Sequence, residues 1–533
     1  MQADDALSFR LLRRLADFVY CYPRLVFYPQ VILFVLCIFY TIEHLQFDTS
    51  RNDLVGARKK YHQNFLRFRD EFPGQDDLVA VVESEDLEKN RQFVERLGAR
   101  LEAETNVFTD VLFNNDLKLL GRKALLFLDH TNLVDLQQTL KEYRPFIQHF
   151  SNATNLDTLF RLVNRQFRTA RQEQSPENEA LLKAVPALQR IIEQATDSLL
   201  RPGTPPAPGL TALFGGGAEA EEAQYITFNG GRIFLCTAHA RTEELNAEAV
   251  QRLRALVRQT QAEVPGVNVG ITGEPVLELD EMLQSQHDTT VASIVSLILV
   301  GFIFIYAYRE TGRPIKATAC LVVGLGYTMG YATLVIGHLN ILTITFVPML
   351  IGLAIDFGVH LISRYEEELR HGQDERQAIT TAMVWTGKGI CTGCFTTAAA
   401  FFAMALTDFK GIQEMGVISG GGMLICLVPM MTLLPVLLLR GRQNVLDHEA
   451  AQESTRAQIE QLWLKRPGLV VGLTTALCLG SGLQFSKVYF DYNLLNMQSP
   501  GLHAVVYERK LIDSAQKSVL FGAVIADSLP QAV

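Results

Sequence analysis

Two kinds of chemistry are missing from this chain. Of its 533 residues only eight are cysteine, and the long polar stretch 43–288 holds one of them, Cys236, so no disulfide can close within that stretch. A Walker A pattern is also absent: Gly387 and Lys388 have neither the upstream glycine nor the following Ser or Thr that would cradle a phosphate. This argues against an ATP-driven pump built from this chain alone. No block of like charge accompanies the formal net charge of -9, so nucleic acid is not an expected partner. No catalytic or metal-ligating constellation is present, and no cofactor is expected. Charge itself is scarce, at 20% against 48% hydrophobic residues, and the apolar residues are gathered into a few long runs.

Those runs predict membrane spans, because crossing about 30 Å of hydrocarbon takes roughly 20 apolar residues. The predicted spans are 25–42, 291–308, 315–336, 341–363, 390–406, 412–439 and 469–485. Lys and Arg near span ends stay on the cytoplasmic side, and four clusters then fall inside. They are Arg10, Arg13, Arg14 and Arg24; Arg309, Arg313 and Lys316; Arg364, Arg370, Arg376 and Lys388; and Arg440, Arg442, Lys465 and Arg466. The expected order is a cytoplasmic N-terminus (1–24), the first span (25–42) and an external domain (43–288). A core of five spans (289–440), a cytoplasmic linker (441–466), a seventh span (467–486) and the start of a second external domain (487–533) complete it. The first run follows basic residues as a secretory signal would, but no small-x-small cleavage site follows it, so it is read as retained. Cys391 and Cys394 have redox-like spacing; at the start of a span with no neighbouring strand they read as small residues for helix packing. Gly326 and Gly330, and Gly416 and Gly420, have the spacing of close helix contact.

The external domain opens as strand then helix, 78–82 and 87–104. A hairpin is predicted where 225–228 and 232–235 flank Asn229, Gly230 and Gly231. A helix over 243–262 and an alternating strand at Val267, Val269 and Ile271 make a second strand–helix–strand unit. Between the units, Leu133, Leu136, Leu140 and Tyr143, then Leu156, Leu159, Phe160, Val163 and Phe167, follow helical spacing. They are either a plain core or a lipid-facing groove, with Leu136, Leu140, Phe160 and Val163 as its lining. Segment 201–222, rich in Pro, Gly and Ala, is expected to be a linker.

The chain then begins to repeat itself. Phe47 and Asp48 follow the first span and Phe490 and Asp491 follow the seventh, an offset of 443 residues; at the same offset Ala80, Val81 and Val82 meet Ala523, Val524 and Ile525. Repeats of this length are typical of transporters. The expectation is a chain truncated early in a second repeat, with the missing C-terminal repeat as its partner.

One carboxylate stands inside an apolar span. Asp356, in IGLAIDFGVHL (351–361), lies eight residues before Arg364, about 12 Å along a helix. An ionised Asp at such depth costs about 2.5–3.5 kcal/mol, so it is expected to face a polar interior or to change protonation. The alternative is a residue that only pins helices together. His360, one turn along the same face, is either its partner or an interfacial histidine.

The block Gly352 to Phe357 (GLAIDF), with Gly358 and His360, resembles the fourth-span motif of the resistance-nodulation-division (RND) superfamily in its MMPL and sterol-sensing branches. Thr407 to Gly416 (TDFKGIQEMG), with Leu433, Leu434 and Pro435, and Gly270 to Pro275 (GITGEP) support that resemblance. It implies an α-helical polytopic membrane protein with an α+β porter-like domain in the periplasm. It also implies a proton-driven secondary transporter in the inner membrane, not an enzyme, with Asp356 as proton carrier and Gly352, Phe357 and His360 as motif neighbours. The insertion after Phe113 is similar to the first external loop of the hopanoid transporter subgroup, which implies a bulky lipid as substrate. Export of another cargo, and a sterol-sensing lipid receptor that does not transport, stay open. The near absence of cysteine outside the membrane argues against the receptor. Whether the protein forms a homo-oligomer is open.

Overall fold

The computed structural model describes residues 7–50, 54, 60–71, 77–114, 134, 137, 141, 161, 164–165, 168, 196, 200, 225–308, 312–440, 465–489, 491, 498–499 and 501–514. In chain order these form α1 (Leu7–Cys21), α2 (Pro23–His44), β1 (Gln46–Phe47), α3 (Lys60–Glu71), β2 (Leu78–Glu83), α4 (Leu87–Ala103) and β3 (Phe108–Leu112). After the predicted insertion come β4 (Thr227–Phe228), β5 (Ile233–Ala240), α5 (Asn246–Glu263), β6 (Asn268–Thr272), α6 (Glu274–Tyr308), α7 (Gly312–Val335), β7 (His338–Leu339) and α8 (Phe346–Arg370). The remainder are α9 (Glu375–Thr381), α10 (Gly387–Met404), α11 (Lys410–Leu438), α12 (Pro467–Gly482) and α13 (His503–Ser514). The chain divides into two units, 1–63 with 281–499 and 64–280 with 500–533.

The second unit is an α+β layer. Its antiparallel sheet runs β3-β5-β2-β6, with β4 paired to β5, so each strand–helix–strand unit receives a strand of the other between its own two, the split βαβ arrangement. The register sets Ala80 opposite Cys236 on one side and Ile271 on the other. Asp86 starts α4 by accepting from the N–H groups of Glu88 and Lys89. Phe93, Val94, Leu97 and Leu101 of α4 then meet Leu253, Leu256 and Val257 of α5 over Ala80, Val82 and Cys236. The opposite face buries Val81, Ile233 and Leu235 against Tyr507 of α13. Asn229, Gly230 and Gly231 all have positive φ, as the β4–β5 turn requires. β5 continues to Ala240, beyond the predicted 232–235, and β3 is an element the sequence pattern does not predict.

The first unit is a helix bundle. Among the described residues, six helical segments are long and apolar enough to cross a membrane: α2, α6, α7, α11, α8 with the short turn before it, and α12 with the turn after it. The chain is a polytopic membrane protein. The predicted run 390–406 is helical as α10 but is not among the six; Lys388, three glycines and three threonines within its 18 residues dilute its apolar character. The helix holding the second predicted span begins at Glu274, inside the stretch assigned to the external domain, and continues without a break to Tyr308. The glycine spacings do mark close packing: a Cβ on Gly326 or Gly330 would meet Phe34 or Cys37 of α2, and one on Gly416 or Gly420 would meet α10. Cys394 is buried with its thiol 3.4 Å from the Met423 carbonyl and is free, a packing residue as its surroundings suggested.

Candidate functional site

α8 carries the predicted site. Asn340 fixes the short turn Thr343–Thr345 that leads into it, its Oδ1 accepting from the N–H groups of Leu342 (3.0 Å) and Thr343 (2.9 Å). One side of the helix is core: Leu350, Ile351, Ala354, Ile355, Phe357 and Leu361 are buried. The other side is a continuous exposed stripe of Gly352, Leu353, Asp356, His360 and Ser363, spaced to lie above one another on a helix.

Asp356 stands ten residues after Phe346 and eight before Arg364, near the middle of a membrane-length helix. The structure brings Asp356, Gly352 and His360 together on the stripe and sends Phe357, 6% exposed, into the core. The sequence leaves Asp356 either facing a polar interior or changing protonation; among the described residues its side chain is exposed. Among the described residues neither Asp356 nor His360 has a hydrogen bond or ion pair. A Cβ on Gly352 would meet nothing within 4 Å. Leu136, Leu140, Phe160 and Val163, the predicted lipid-path residues, lie outside the described residues.

The end of the stripe near Arg364 is tied down by polar contacts. Tyr308 of α6 donates to the Val359 carbonyl (2.9 Å) and touches Ser363. Arg313, nearly buried, bonds Glu366 at 2.7 Å and lies 6.0 Å from the Tyr365 ring centroid. These bonds hold α6, α7 and α8 together beside the stripe and leave its face open.

A second polar knot lies at the opposite end of α8, and the sequence reading misses it. The buried Glu414 of α11 accepts from Asn340 Nδ2 at 2.8 Å, and its other oxygen is 3.3 Å from His338 Nε2 and 3.7 Å from Lys410 Nζ. His338 Nε2 is also 4.0 Å from Asp48, just past β1. β1 and β7 pair in parallel, Gln46 opposite His338. The signal available in the sequence is the lone Glu414 four residues after Lys410 at the head of an apolar run. A group with that address is easily taken for a solvated span end. Among the described residues no cluster could hold a metal ion.

Residues 229–472 match the MMPL family. The chain is similar to the hopanoid transporter HpnN of Rhodopseudomonas palustris (strain TIE-1), 23% identical over 490 residues that cover 89% of this chain and 54% of that protein. It is likewise similar to the hopanoid transporter HpnN of Burkholderia multivorans, 24% identical over 506 residues covering 92% of this chain and 55% of that protein. The siderophore exporter MmpL5 of Mycobacterium tuberculosis is 27% identical over 201 residues, 37% of this chain and 21% of that protein. The chain spans about half the length of the hopanoid transporters it matches.

Proposed function

We propose that this chain, which carries the MMPL-type membrane region of the RND superfamily and resembles hopanoid transporters, is half of a proton-coupled exporter of a bulky lipid. The observation that carries the reading is Asp356, an ionisable group at mid-helix whose side chain is exposed on its stripe and has no hydrogen bond or ion pair among the described residues. A charge facing hydrocarbon there would cost about 2.5–3.5 kcal/mol, and binding a proton removes the charge. A carboxyl in such a place is therefore suited to take a proton from one side and lose it to the other. The remaining length of the relatives is the natural source of a surface to cover the stripe. In support of a repeat, α13 starts and ends 443 residues after α3, the offset seen in the sequence.

Seven crossings are the reading that best fits the second polar knot. The Asn340–Glu414 bond joins the start of α8 to the start of α11, so both helices leave from the same end of the bundle. The chain between them has to return across, and α10, about 27 Å long, is the segment able to do so. With arginines inside, unit 64–280 then lies outside the inner membrane, in the periplasm. A cysteine at Asn229 should react with an impermeant maleimide in intact cells and one at Gln373 should not; labelling at Gln373 would reverse the topology.

Lipid is favoured as cargo because similarity to the hopanoid transporters runs along nine-tenths of the chain, whereas similarity to the siderophore exporter covers about a third. Leu136, Leu140, Phe160 and Val163 are proposed to line the lipid path. Replacing Asp356 with Asn in the full-length protein should leave insertion and folding intact and abolish transport. Transport at the native rate by that variant would reduce Asp356 to a structural residue.

A further inference from the structure

α1 precedes the first span and has three distinct flanks. Leu12, Ala16 and Val19 are buried, and the helix seats on α9, the π turn Ala382–Thr386, α10 and α11. Leu11 and Phe18, two turns apart, are 61% and 48% exposed and form an apolar ridge. Tyr22 extends this ridge beyond the helix end, and the exposed Leu25, Tyr28 and Ile32 continue it along α2. Arg10, Arg13 and Arg14 are exposed on the third flank. Asp17, on the same flank, lies 3.4 Å from Arg376 of α9, whose guanidinium also sits 5.2 Å from the Tyr20 ring. On a helix of 3.6 residues per turn the docked face, the apolar ridge and the arginine flank follow one another round the axis.

We propose that α1 lies in the membrane surface and binds anionic phospholipid, with Leu11 and Phe18 in the acyl boundary and Arg10, Arg13 and Arg14 among the headgroup phosphates. Three observations lead there. α1 runs into the membrane-length α2 across Tyr22 alone, so its end is fixed at the bilayer surface. At 15 residues it reaches only about 22 Å, too short to cross. Its ridge is continuous with the exposed, lipid-facing side of α2, and large apolar groups beside arginines are what an interfacial helix presents to acyl chains and phosphates. The docked face ties this surface to the π turn that begins α10, so lipid charge acts on the element that carries the fifth crossing.

The test uses the full chain in nanodiscs of phosphatidylcholine containing a minor fraction of phosphatidylglycerol. A nitroxide at Leu11 should be reachable by oxygen and shielded from a water-soluble nickel chelate, and one at Arg14 should show the reverse. Native mass spectrometry should find phosphatidylglycerol retained over phosphatidylcholine. The triple variant Arg10→Gln, Arg13→Gln, Arg14→Gln should lose roughly 10- to 100-fold of that preference at low salt while staying monodisperse. Unchanged retention by the triple variant would overturn the proposal. So would a Leu11 label open to the nickel chelate, which puts the ridge in water, or one shielded from both reagents, which puts it against protein.

Discussion

A methyl group at position 273 has nowhere to go. Gly273 has φ +108°, a conformation open to glycine and strained for other residues, and a Cβ there would fall 1.9 Å from the Asp77 carbonyl oxygen. Because that neighbour is backbone, the strand edge itself would have to shift. Gly270, three residues earlier in the same motif, differs in kind: its Cβ would meet the Tyr507 ring of α13 at 2.0 Å. The GITGEP resemblance thus resolves into one backbone requirement and one packing requirement. Gly273→Ala should cost about 2 kcal/mol or more of unfolding free energy in the β2–β6 unit, read from urea melts of the purified chain. Gly270→Ala should instead raise hydrogen exchange across α13 and leave β2 protected. Equal loss of protection in β2 and α13 for both variants would remove the distinction.

At the scale of an element, α4 carries more buried charge than a surface helix usually does. Arg91 is 4% exposed and reaches Glu88 at 2.5 Å and Glu95 at 2.9 Å, while the Tyr225 hydroxyl donates to Glu95. Burial raises the Glu95 carboxyl above its ordinary 4.5, and Arg91 and the Tyr225 hydrogen bond offset only part of that rise. A carboxyl whose pKa is raised by folding binds its proton more tightly in the folded state. Its contribution to stability therefore falls as pH rises through 4.5 toward the folded value and is flat above it. Glu95→Gln keeps an acceptor for Tyr225 and removes the titration. Thermal melts of this variant should lack the part of the wild-type decline that begins near pH 4.5; an unchanged slope would show that Glu95 titrates normally. This network is not legible in the sequence, since Glu88, Arg91 and Glu95 at helical spacing look like an ordinary solvated face, whereas Tyr225, 130 residues away, bonds Glu95 in the fold. The same limit explains the other omissions. β3, FTDVL, is five residues long with a register shift against β5. The first turns of α6, with Glu274, Glu278 and Asp280, hide a helix continuous with a span, because hydropathy records composition and not hydrogen bonding. By contrast the apolar runs and the glycine pairs are legible, because span length and close approach each demand particular residues in order.

For the whole molecule, the face of α8 decides how this chain exists in a membrane. Asp356 is visible in the sequence as a charge in an apolar run, but periodicity cannot say which side of a nearly all-apolar helix is covered. The structure separates the sides: Leu350, Ala354 and Leu361 pack inward, and Gly352, Asp356 and His360 do not. α6 exposes Ile298, Phe302 and Tyr306 as well, the last at 85%, but those are side chains that lipid accepts. A carboxylate and an imidazole are not, at about 2.5–3.5 kcal/mol for the charged acid alone. The two exposed faces should therefore differ in the membrane: α6 against acyl chains and, under the proposed coupling, α8 against polar protein surface. Nitroxides at Tyr306 and at Gly352, in the full-length protein in liposomes, separate the cases. The Tyr306 label should be mobile and strongly relaxed by oxygen. The Gly352 label should be immobilised and several-fold less relaxed, and its mobility should change when Asp356 is replaced by Asn, since neutralising the acid removes the charge that the covering surface meets. If the Gly352 label matches the Tyr306 label in oxygen accessibility, the stripe lies in lipid, Asp356 has no covered path for a proton, and the coupling assigned to it fails.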